Sequence, residues 1–374
     1  MRSHSIFIIK IVLVFFLMTG VLLQTGCAFK DIDKTLFVVA IAIDPVENNE
    51  ERYKVTLKVS LPFGAIKEAE KPSYAYLSNE GDSIGECIRM LETYADKVLE
   101  FGQMKTILVH ELLMTDHLKD FMDYFMRRGD VQLIAFVAGA SPSAEEIIKV
   151  EPETEAPASV SLFNFFGGTG TESPFITTTY LFQFRRDFFS DGINPVLPLI
   201  ETNEEQTELR INNAIVIDQH KEPIKLDNQE TKYYNSLVKG ASGFSYKEIK
   251  GDFQLLLNIS RIKMDYQIIA ENDEPQSIEM NVKMVGTIGE SNQPLSLKKL
   301  DEYNQMASNT TEKIISKFLK KMQEHEVDPF GFGLRYRATR LERDGQIDKW
   351  NRAYPDLDVH VNVDVKLQGA GTIE

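Results

Sequence analysis

The sequence predicts an α/β (α+β) protein of two or three domains, each a mixed sheet with helices packed on it. Three observations carry this. The first half alternates short apolar runs with helical stripes in the order ββαβαβα, so helices must cross over between strands and come to rest on a sheet. The second half is dominated by strands in which apolar and polar residues alternate, the pattern of antiparallel sheets with one solvated face. The chain has 374 residues, more than one hydrophobic core usually organises.

Residues 1–26 stand apart from this pattern. A basic start with Arg2 and Lys10 and an apolar stretch over 11–23, with no acidic residue before Cys27, form the two regions of an export signal peptide. Thr25 and Gly26 then put small residues directly before Cys27, as in the lipobox of bacterial lipoproteins, where the thiol receives a diacylglycerol and the chain is cut between Gly26 and Cys27. Gln24 stands where that motif usually has Leu, Val or Ile. The other reading of these residues is an uncleaved anchor, since residues 6–23 are long enough to span a bilayer. Both readings put the chain after residue 27 outside the cytoplasmic membrane.

Residues 37–43 are a continuous apolar run closed by Asp44-Pro45, as expected of a central strand buried on both faces. Tyr53, Val55, Leu57, Val59 and Leu61 alternate with polar residues and predict a half-exposed strand hairpinned to it. Ser83 and Glu86 have capping-box spacing, and Ile84, Cys87, Ile88, Leu91, Tyr94, Ala95 and Val98 follow on one helical stripe. Cys87 is therefore expected in the core as a small hydrophobe. A strand over 107–110, a helix over 118–126, a strand over 131–138 and a short helix from Ser143 follow.

Residues 151–161 and Gly167-Gly168-Thr169-Gly170 read as an exposed excursion interrupted by 162–166. The glycines lack a Walker lysine and follow no strand, so they form no phosphate loop. A helix is expected over 180–188, and residues 195–200 are expected on a sheet edge because Pro195 and Pro198 cannot donate to a ladder.

The acidic stretch 201–208 divides the chain into domains over 27–200 and 201–374, the second open to a further division near 245. A hairpin over 214–226, a helix over 230–238 stopped by Gly240, one or two strands over 253–269 and a strand through Ile278, Met280, Val282 and Met284 are expected next. The longest helix follows over 300–326, with Ile314, Ile315, Phe318, Leu319 and Met322 on its buried stripe and Lys313, Lys317, Lys320 and Lys321 on the other face, ended by Asp328-Pro329. Asp328-Pro-Phe-Gly-Phe-Gly333 must be a tight ordered turn, because two glycines admit unusual backbone angles while Phe330 and Phe332 need burial. Trp350 and this turn are expected in one cluster with the last strand, in which Val359, Val361, Val363, Val365 and Leu367 alternate without error.

Removing Arg2 and Lys10 with the leader leaves 39 basic against 56 acidic residues, a net charge of −17. Such a chain is repelled by nucleic acid and by anionic lipid, so membrane attachment is expected through acyl chains at Cys27. Cys87 is the only other cysteine, and once Cys27 is acylated no intramolecular disulfide can form. His110, His117, His220, His325 and His360 show no metal spacing, and no nucleophile elbow, zincin motif or outstanding carboxylate pair occurs. No enzymatic activity, metal or cofactor is expected.

The blocks that remain carry a resemblance. The lipobox with the buried strand after it, the 118–138 block with Arg127-Arg128, the 195–200 segment and above all Asp328-Pro-Phe-Gly-Phe-Gly333 with Trp350, Tyr354-Pro355 and the closing valine strand are similar to the C subunit of bacterial spore germinant receptors, the Ger(x)C lipoproteins of endospore-forming bacteria. The resemblance spans nearly the whole mature chain, though Ala28 stands where the family often has Trp. It implies several α/β domains and a non-catalytic, palmitate-bearing lipoprotein on the outer face of the cytoplasmic (spore inner) membrane. Two integral membrane proteins, an A and a B subunit, are its implied partners in sensing nutrients. The alternative from another class is a solute-binding lipoprotein that serves a transporter.

Overall fold

The computed structural model describes residues 10–14, 34–46, 52–61, 74–115, 118–150, 166, 173–203, 205, 207–240, 243–340 and 345–368. Gly26, Cys27, His117 and most of the 151–172 excursion lie outside them, as does the leader apart from an exposed helical stretch over 10–14. No helix among the described residues is long and apolar enough to cross a membrane.

Strand β1 (Thr35–Pro45) is the central strand its sequence predicts, paired antiparallel with β2 (Tyr53–Ser60) and parallel with β5 (Thr106–His110). A bulge between Val38 and Ala40 adds one residue to its alternation. Leu36 and Val38 therefore share a face with Ile41 and Ile43, while Ala40 and Ala42 occupy the other. The larger side chains meet α1 (Ile84–Leu91), α2 (Leu118–Arg127) and α4 (Leu181–Phe188); the alanines admit α3 (Ala144–Lys149) close to the sheet. Asp44 at the strand's end caps α3, its two oxygens accepting from Ala144 N at 2.7 Å and Glu145 N at 2.8 Å.

The sheet runs β3 (Tyr74–Gly81), β2, β1, β5, β6 (Phe136–Ser141), β7 (Val196–Thr202), β8 (Leu209–Val216), β9 (Ile224–Leu226), with β4 (Val98–Glu100) parallel to the start of β1. Residue 201 thus lies inside β7, and two strands beyond it complete this sheet. Several expectations need correcting. β2 is buried along nearly its whole length, Thr56 and Lys58 included, because α3 lies over that face, where Lys58 Nζ donates to the Ile148 carbonyl at 3.4 Å, and β3 pairs along its outer edge. α1 stops at Leu91, where Thr93 Oγ1 donates to the Met90 carbonyl at 2.7 Å; Tyr94 and Val98, expected on its buried stripe, are exposed.

β6 begins at Phe136 instead of residue 131. Residues 132–135 form a turn whose carbonyls at Leu133 and Ala135 accept from the first N–H groups of α4. β7 is not an edge. Its prolines fall outside the β6 ladder, which starts only at Leu199, and the Val196 carbonyl accepts from Thr179 Oγ1.

A second sheet is built from β10 (Phe244–Lys250), β11 (Phe253–Glu271), β12 (Glu274–Ser291) and β13 (Asp358–Leu367). β11 is one strand of 19 residues, and Asn272 and Asp273, both at positive φ, turn it directly into β12. After β12 the chain crosses over through α6 (Leu300–Glu324), α7 (Phe332–Ala338) and α8 (Gln346–Ala353), and β13 returns parallel to β12. α6 also covers the free edge of β13: Ser308 Oγ accepts from Val365 N at 3.0 Å and Asn304 Oδ1 from Leu367 N at 2.9 Å. Between the sheets lies α5 (Asn228–Lys239), opened by an Asp227/Glu230 capping box and closed by Gly240 at φ 67°. Through it one core joins Val196, Ala214, Val216 and Leu226 of the first sheet to the second.

Candidate functional site

The segment 328–333 that the sequence singled out sits where the two sheets are tied together. Asp328, fully buried, accepts from Gly331 N on one oxygen at 2.9 Å and from Gly333 N on the other at 2.7 Å. Gly331 at φ 72° turns the chain so that these N–H groups face inward, and Phe332 opens α7. Burial pushes the Asp328 carboxyl up to about 7 against the pull of the N–H groups it accepts. Phe330 and Phe332 stack at 5.3 Å, and Trp350 lies between Tyr354 at 5.3 Å and Tyr336 at 5.5 Å. All of these share a core with Val363, Val365 and Leu367 of β13, as the sequence predicts.

Across from this turn is a segment sequence reasoning passed over, Asp191-Gly192-Ile193-Asn194. Asn194 N donates to the Asp328 carbonyl at 2.9 Å, and Asn194 Oδ1 accepts from Asp328 N at 2.8 Å. The Asn194 amide also donates to the Ile217 carbonyl and to Asp218 Oδ2, both at 3.1 Å, so one side chain joins three segments. Gly192, at φ 82°, sits against Gly333: a Cβ on Gly192 would lie 2.5 Å from the Gly333 carbonyl carbon, and one on Gly333 would lie 2.5 Å from the Trp350 ring. Arg337 pairs with Asp191 at 3.0 Å, while Lys221 pairs with Glu326 and donates to the His325 carbonyl at 3.2 Å. The Asp-Gly and Asn-Pro steps were the available signal for a turn here; nothing in one sequence marks its partner.

These segments enclose a cleft of about 440 Å³, lined chiefly by Asp191, Asn194, Asp218, Lys221, Glu326 and Asn351 over a floor of Trp350 and Tyr354. Its polar groups are largely spent on each other, tying the segments that line it together. The other expected residues are dispersed. Cys87 is buried with Sγ 3.6 Å from the Tyr53 carbonyl. His110 Nδ1 accepts from Leu112 N at 3.0 Å, and His110 Nε2 donates to the Pro142 carbonyl. His360 lies on β13, 3.9 Å from Glu279, whereas His220 lines the cleft. Among the described residues no three His, Cys, Asp or Glu side chains are grouped to hold a metal ion.

Comparison with known proteins places both halves of this two-sheet chain in one family. The N-terminal domain profile of spore germination proteins matches residues 29–202, and the C-terminal profile of the spore germination B3/GerAC-like proteins matches residues 212–371. The chain belongs to this Ger(x)C family of spore germination proteins. YfkR of Bacillus subtilis (strain 168) is 20% identical over 376 residues, and the spore germination protein YndF of the same strain is 21% identical over 388, each alignment covering 94% of both chains. The crystal structure of the GerBC protein has the same fold, with a TM-score of 0.56 and 16% identity over 88% of this chain and 98% of that one.

Proposed function

We propose that this chain is the lipid-anchored C subunit of a nutrient germinant receptor. Its role is to hold two integral membrane subunits, A and B, in an assembly competent for signalling, without catalysis, on the outer face of the cytoplasmic (spore inner) membrane. The observation that carries the reading is the succession of both family profiles along residues 29–202 and 212–371. The leader ending at Cys27 supports the anchor, and a joint built from mutually satisfied polar groups suits a scaffold better than a catalyst.

Deleting the gene is expected to abolish germination with one set of nutrients while calcium dipicolinate still triggers it. The A and B subunits should fall in abundance, since an assembly that loses one member exposes interface and is cleared. Normal germination with every nutrient, in a strain without other receptors, would defeat the proposal. Unchanged membrane partners with loss of uptake of one solute would favour a transporter's solute receptor.

A further inference from the structure

We propose that the end of the first sheet where β1 begins is a bilayer-contact surface, with α4 and the 132–135 turn seated in the headgroup region of an anionic membrane. β1, β5, β6 and β7 run parallel, so their first residues lie at one end. α4 is fastened to that end, Leu181 N donating to the Ala135 carbonyl at 2.8 Å and Phe182 N to the Leu133 carbonyl at 3.0 Å. Its inner stripe, Leu181, Phe184 and Phe188, is buried.

On the outer side of α4, Phe182 and Arg185 stand three residues apart at helical spacing, and Phe189 caps the helix end. Phe182 is 42% and Phe189 56% exposed, and beside them Leu133 is 45% and Ile134 58% exposed. At the start of β1 itself, Val98 is paired with Thr35 and is 62% exposed. Scattered apolar side chains on a surface need no explanation, but a group collected at one end of a sheet does. Lys97 and Arg185 bring positive charge to this end of a chain that is otherwise strongly acidic; Arg186 is answered by Asp187 at 2.7 Å. Aromatic and aliphatic side chains interleaved with cations are what the interface of an anionic bilayer takes up, to a depth of about 5–10 Å.

The bilayer is favoured over other occupants by where the chain enters. Seven residues lie between Cys27 and Thr35, and over the eight residue steps from one to the other, at most about 3.6 Å each, they hold this end within roughly 30 Å of an acylated Cys27. The surface rests on that reading of Cys27, so both are measured together. The full chain, produced in a lipidating host with metabolic acyl label, is reconstituted into vesicles of phosphatidylglycerol and phosphatidylethanolamine. Ile134→Cys, Phe182→Cys and, at the opposite end of the sheet, Leu112→Cys each carry an environment-sensitive fluorophore.

With lipids spin-labelled near the headgroup, emission from positions 134 and 182 should be blue-shifted and quenched about two-fold or more, as shallow insertion requires, and emission from 112 should not change. Acyl label on Cys27 without quenching at 134 and 182 would overturn the surface alone. Absence of acyl label would overturn the anchor and the surface with it. Quenching that disappears when the A and B subunits are added would assign the surface to a protein partner and overturn the lipid assignment.

Discussion

At Gly192 and Gly333 two backbones meet with no room for a methyl group on either, and Trp350 closes the contact from the far side. Trp350 is 1% exposed and stacks on two tyrosines, so Trp350→Ala leaves a cavity that neighbours held by their own hydrogen bonds cannot fill. A loss of about 3–5 kcal/mol is expected, read as a fall in thermal midpoint. Asp328 gives a prediction of a different kind. Its carboxyl ordinarily titrates near 3.8, and burial in the fold raises it to about 7. The folded state therefore holds the proton more tightly than the unfolded chain. The contribution of this group to stability is complete below about pH 4 and is lost as the pH rises to about 7. Urea unfolding of the protein and of Asp328→Asn across this range should show the stability advantage of the native residue shrinking as pH rises. A difference that stays constant from pH 4 to 8 would show that Asp328 remains ionised in its nest of backbone N–H groups.

The edge strand β13 and the helix that covers it depend on two short polar side chains among apolar neighbours. Ser308→Ala and Asn304→Ala each leave an N–H of β13 without its acceptor and should cost about 1–3 kcal/mol. Hydrogen exchange at Val365 and Leu367 should quicken in each case, while β11 keeps its protection. Periodicity made most elements legible, above all β1, α2, α6 and β13, where apolar spacing and burial coincide. It failed where a residue answers to a distant partner. β3 reads as Tyr-Ala-Tyr-Leu-Ser-Asn with no alternating face, and only its pairing with β2 makes it a strand. Leu133 and Ile134 look like the start of a strand because they are apolar, yet α4 claims that backbone. The candidate site was half legible: Asp328, Phe330, Phe332 and Trp350 were marked by composition. Gly192 and Asn194 were not, since their importance comes from what they touch 130 residues or more away.

Over the whole molecule, one continuous core links β7, β8 and β9 to the second sheet, and Asn194, Lys221 and Arg337 fasten the same boundary with polar contacts. The described part of the chain should therefore unfold in a single calorimetric transition, and two well-separated transitions would show that the boundary carries little coupling. The family profiles change between residues 202 and 212, yet the first sheet takes its last strands from residues 209–226. This bears on how relatives could exchange parts. A crossover between homologous genes near residue 205 would ask β8 and β9 of one parent to complete the sheet of another and to match its core side chains. A crossover just after Leu226 would pass on the whole sheet intact and leave only the α5 packing and the 192–334 contact to be reconciled. Hybrids joined at the later point should fold across a wider range of parents, which makes the segment following β9 the natural seam of inheritance in this family.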